Sequence, residues 1–127
     1  MDPQLDNVTS LLRSFLDVQT RRSQVIASNI ANADTPGYRA KQLEFDEYLR
    51  DAAHNSELPA SKQASRPLET AMSVVEQQSE VVAMDGNTVD AGREMAELAQ
   101  AGSSFNFGAK MLQARFRLLR TAIREGR

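Results

Sequence analysis

Few side chains in this sequence are of the type and spacing that chemistry requires. The single histidine, His54, sits in a polar stretch with no second histidine and no cysteine to complete a metal site. Asp46 and Glu47 are adjacent carboxylates, and neighbours in sequence point in different directions rather than facing each other as an acid–base pair. Glycine-rich phosphate loops, nucleophile elbows and zinc-helix motifs are all missing from the sequence. No catalytic, cofactor-binding or metal-binding residue is therefore expected, and the chain does not read as an enzyme.

One stretch is more particular. In "ASNIANADTPGYR" (27–39), the amides Asn29 and Asn32 stand just ahead of Pro36-Gly37. Proline at the second position and glycine at the third suit a type II turn, because glycine takes the positive φ required there. Pro36 also pushes Thr35 out of the helical region, which fixes where a preceding helix ends. Asn29, Asn32, Asp34, Thr35, Pro36, Gly37 and Tyr38 form the candidate corner. Its amides can bond to backbone at the helix end or to a neighbouring chain, which the small Ala27, Ala31 and Ala33 would let approach.

The C-terminal stretch "KMLQARFRLLRTAIREGR" (110–127) sets Lys110, Arg115, Arg117, Arg120, Arg124 and Arg127 against one acid, Glu125. A basic amphipathic helix can bind nucleic acid or a membrane surface. Cations in the last turns of a helix also complement its dipole, and no aromatic residue is interleaved with the outer arginines to stack on bases. The bland reading, a solvated face, is preferred, because the net charge of the whole chain is only −2.

The elements that must position the corner are helical. With 127 residues, 41% hydrophobic, 6% aromatic and no tryptophan, the chain suits one domain of elongated helices better than a sheet core. Asp2-Pro3 opens a first helix over roughly 4–33, with Leu5, Val8, Leu12 and Phe15 at spacings of three and four, and Ile26 resuming the stripe. A second helix follows the turn at Asp85-Gly86, with Asn87 and Asp90 as cap candidates. Along it, Met95, Gly102, Ala109, Phe116 and Ile123 recur every seven residues, and so do Leu98, Phe105, Leu112 and Leu119. That is a coiled-coil seam.

The expected fold is mainly α, with long N- and C-terminal helices paired as an antiparallel coiled coil. Residues 1–40 and 85–127 then form one structural domain from the two ends of the chain. Between them, 41–84 reads as an irregular segment, flexible or partner-ordered, with room for short β-strands. There, 43–49 suits a helical turn or a strand, 74–84 suits a strand or hairpin arm, and the stretch from His54 to Thr70 looks flexible. Two helices alone leave apolar stripes wet, so burial against other chains is expected. The N-terminal "MDPQLDNVTS" has neither the basic nor the apolar region of a Sec signal, and no membrane span is expected.

The segment "SNIANADTPGYRAKQLEF" (28–45) closely resembles the N-terminal signature of bacterial flagellar axial proteins, the rod, hook and hook-associated subunits. In that family a helix ends in N-x-A-N-x-x-T-P-G-Y or close to it. "DGNTVDAGREMAELAQ" (85–100) and "FRLLRTAI" (116–123) look like the other end of the rod members. Those usually carry an S-N-V-N-type motif where this chain has D-G-N-T-V-D. The resemblance implies a structural, non-catalytic subunit without cofactors, built into an open helical assembly with other copies of itself and neighbouring rod subunits. It implies a basal-body adaptor at the rod base, a place in the periplasmic shaft that transmits motor torque, and export without a cleaved signal through the flagellar type III export gate. Phe45 and Leu49 resemble the Phe-x-x-x-hydrophobic motif read by that gate. The alternatives are a nucleic-acid or membrane binding module acting through 110–127, and another flagellar axial or export adaptor protein with the same N-terminal signature.

Overall fold

The computed structural model describes residues 3–57, 72–79 and 82–126, and the side chains of 3–6 and 55–57 lie outside the description. Helix α1 (Pro3–Ala31) begins on a proline, whose missing N–H has no intrahelical partner at that position anyway. It ends where the Pro36-Gly37 turn approaches. Gly37 has φ 71°, and the Tyr38 N–H donates to the Thr35 carbonyl at 3.2 Å, closing the turn. Strand β1 (Lys41–Glu44) follows, then α2 (Asp46–Glu57), β2 (Ser73–Glu76) and the long α3 (Ala91–Glu125). Asp90 caps α3, its carboxylate accepting from the Arg93 N–H at 3.1 Å.

α1 packs along α3 on one side and against α2 on the other. The chain is mainly helical, with its two long terminal helices paired. β1 and β2 make a two-stranded antiparallel sheet, with Lys41 opposite Glu76 and Glu44 opposite Ser73. Among the described residues of the middle segment, 41–44 and 73–76 are strands and 46–57 is a helix. The 43–49 stretch is partly strand and partly helix, and α2 continues through His54 to Glu57. The second strand covers only the start of 74–84. Residues 58–71, with Pro59 and Pro67, lie outside the described residues.

The α1–α3 seam is rotated from the one expected. On α3 the buried residues are Glu94, Ala101 and Gly108, each one position before Met95, Gly102 and Ala109. One residue is about 100° around a helix. Met95 (58% exposed) and Ile123 (67%) are exposed, as are Val8, Phe105 and Phe116. Leu12, Phe15, Leu98, Leu112 and Leu119 are half-buried along the edge of the contact, and Ile26 is buried. The side chain of Leu5 is outside the described residues. At Gly108 the side chains of α1 fill the space a larger residue would need: a Cβ there would lie 3.0 Å from both Phe15 Cδ1 and Leu16 Cδ2.

Candidate assembly corner

Asn29 stands in the last turn of α1, fully buried. Its Nδ2 donates to the Lys41 carbonyl at 2.7 Å and to Glu94 Oε2 at 3.0 Å. Its Oδ1 accepts from the Lys41 N–H at 2.9 Å and from the Tyr38 hydroxyl at 3.3 Å. A primary amide has two donors and two acceptor sites, and all are used. Asn29 therefore ties the end of α1 to the first residue of β1 and to the first turns of α3.

Asn32 works locally. Its Nδ2 donates to the Ser28 carbonyl at 2.8 Å, and its Oδ1 accepts from the Thr35 hydroxyl at 3.2 Å. These bonds stay within the helix end. Asp34, Thr35, Pro36 and Gly37 are exposed, and Tyr38 is half-buried.

Two residues outside the expected corner complete it. Asn87, 4% exposed, directs its Nδ2 at the carbonyls of Asn32 (2.9 Å), Ala33 (2.9 Å) and Thr35 (2.8 Å). Those carbonyls lie just past α1, and two of them also accept within the turn, that of Asn32 from the Thr35 N–H at 3.0 Å and that of Thr35 from the Tyr38 N–H at 3.2 Å. Asn87 thus braces the segment after α1 from more than fifty residues away in sequence, while its Oδ1 accepts from the Val89 N–H at 2.7 Å. Of the two cap candidates for α3, Asp90 caps that helix and Asn87 does not. Glu94 is 2% exposed, and its pKa is raised chiefly by burial, with Glu97 and Asp90 adding to the rise. The Asn29 hydrogen bond and Arg93 oppose it. The sequence signal for Glu94 was its place in the 94–101–108 row, which the bulkier apolar row one residue later obscured.

Phe45 and Leu49 are half-buried and pack against Val18 and Tyr48, holding α2 on α1. Their aromatic and aliphatic bulk is structural in the folded chain. Lys110, Arg117, Arg120 and Arg124 are exposed along α3, and Arg127 is outside the described residues. Among the described residues no helix is long and apolar enough to cross a membrane, and no group of three or more His, Cys, Asp or Glu could hold a metal ion.

The described chain is thus a long helix pair joined at a corner held by polar contacts. Residues 16–39, which run from the middle of α1 through the corner, match the family model described as "Flagella basal body rod protein". The chain is 27% identical to the flagellar basal body rod protein FlgB of Salmonella typhimurium and 29% identical to that of Escherichia coli, each across 96% of this chain and 99% of the relative. It is 32% identical to FlgB of Bacillus subtilis over 84% of both chains. The chain belongs to the FlgB family of flagellar basal body rod proteins.

Proposed function

We propose that the chain is a structural subunit of the flagellar basal-body rod, without catalytic activity, and that it assembles through its terminal helices. Copies of the chain and neighbouring rod subunits stack in an open helical array on an adaptor at the rod base. The product is a periplasmic shaft that carries motor torque. The subunit reaches it through the flagellar type III export gate without a cleaved signal, with Phe45 and Leu49 as the segment the gate reads.

The observation that carries the reading is what α3 leaves uncovered. After α1 has taken the Glu94–Ala101–Gly108 row, apolar side chains stand exposed on both flanks of the same helix. Met95, Phe116 and Ile123 lie on one flank, and Phe107, Met111 and Leu118 on the other. A helix apolar on three sides requires more than one partner helix. Beside α1 at Gly102 there is an open groove lined by Thr20, Ala27, Leu98 and Phe105. Contacts between unlike surfaces give either rings or open helical arrays, and the relatives' rod family favours the open array. The relatives' family supports this reading over nucleic-acid binding.

Deleting the gene tests the proposal. Cells lacking the chain should make neither rod nor hook, and plasmid-borne wild type should restore both. Complete rods in the deletion strain would refute it.

A further inference from the structure

The turn after α1 and the turn before α3 meet as two surfaces of one object. The Gly37 N–H donates to the Asp85 carbonyl at 2.9 Å, and the Thr88 N–H donates to the Tyr38 carbonyl at 3.0 Å. The Ala40 N–H donates to Thr88 Oγ1 at 2.8 Å. Gly86, at φ 81°, lies so close that a Cβ there would be 3.6 Å from Gly37 Cα. The segment has its own internal bracing. Gly86 N–H donates to Ala83 carbonyl at 2.9 Å, Ala83 N–H to Asn87 carbonyl at 2.8 Å, and Asn87 N–H to Asp85 Oδ1 at 3.0 Å.

We propose that 83–88 is a mould for the corner and that Asn87 is its positioning residue: the turn at 35–38 holds its shape in the isolated chain because Asn87 grips the three carbonyls beneath it. The physical case rests on what the corner lacks. Asp34, Thr35, Pro36 and Gly37 are exposed and bury no apolar side chain, so burial contributes little to fixing their shape. Their order comes from hydrogen bonds, and the long-range ones come from 85–88. A preformed corner binds a neighbour without the entropy cost of ordering it at that moment. The role of the corner in binding rests on the assembly reading above. The mould itself does not.

Backbone hydrogen exchange on the full isolated chain tests it. In Asn87→Ala, the amides of Gly37, Ala40 and Thr88 should exchange about tenfold faster or more, the effect of losing a hydrogen bond's worth of protection. Amides across 18–26 and 98–108, in the helix pair, should keep wild-type protection. Asn87→Asp should fail in the same way, because a carboxylate keeps the acceptor for Val89 but has no proton for the carbonyls. Unchanged exchange at Gly37 and Thr88 in Asn87→Ala would overturn the proposal, and so would a loss of equal size throughout both helices. If Asn87→Ala does not fold, Gly86→Ala, strained at its positive φ, is judged by the same local-against-global pattern. Rod assembly scored for these variants tests the assembly reading separately. A loosened corner in cells that still build rods would remove the corner from that reading and leave the mould standing.

Discussion

Replacing either corner amide by alanine looks equivalent in the sequence, and the structure separates the two. Asn29→Ala removes four hydrogen bonds from a fully buried site. Three are neutral, worth about 0.5–1.5 kcal/mol each, and the one to Glu94 involves a carboxylate, worth about 1.5–3 kcal/mol. The 3.3 Å Tyr38 bond belongs at the weak end, and a water entering the vacated space recovers part of the rest. A net loss of about 3–5 kcal/mol remains, a large share of the ~5–15 kcal/mol by which domains are usually stable. Asn32→Ala removes two local bonds at a half-exposed helix end, where water substitutes, and should cost about 1 kcal/mol. Urea unfolding of the isolated chain, followed by helical circular dichroism, measures both. Losses within about 0.5 kcal/mol of each other would refute the assignment of Asn29 as the long-range hub.

Three other outcomes follow from the same contacts. Burial raises the Glu94 pKa, so the folded chain holds a proton that the unfolded chain has already released, and stability falls as pH climbs from the ordinary glutamate range through the raised value. Glu94→Gln should match wild type in acid and become the more stable of the two toward neutral pH; a gap opening instead on the acid side would contradict this. Gly102→Ala, with nothing within 4 Å of the new Cβ, should raise stability by about 1 kcal/mol, whereas Gly108→Ala, meeting Phe15 and Leu16 at 3.0 Å, should lower it by about 1 kcal/mol net, both read from urea midpoints. Met95→Gln and Ile123→Gln, on exposed positions, should leave stability of the isolated chain within about 0.5 kcal/mol while abolishing swimming and rod formation.

The local features of this fold were legible because their causes are local. Pro36 and Gly37 mark where the chain turns, and Gly37 takes the positive φ that glycine allows. The Asp85-Gly86 turn and the Asp90 cap were readable for the same reason. The phase of the helix seam was not. A heptad of bulky residues marks a face that needs burial, but not which partner buries it, and α1 packs on the row of Glu94, Ala101 and Gly108, where Phe15 and Leu16 occupy the space beside the glycine. Asn87 and Glu94 were hidden for a different reason. Their partners lie more than fifty residues away, and nothing near them in sequence shows that a cap residue reaches across to another helix.

The most direct test of the account is an electron-microscopic reconstruction of basal bodies purified from cells that produce this chain. The account predicts the α1–α3 pair in the rod wall, with Met95, Phe116 and Ile123 covered by helices of adjacent subunits and the 32–38 corner against a neighbour. A complete rod containing no copy of the chain, or copies whose exposed α3 rows still face solvent, would contradict it.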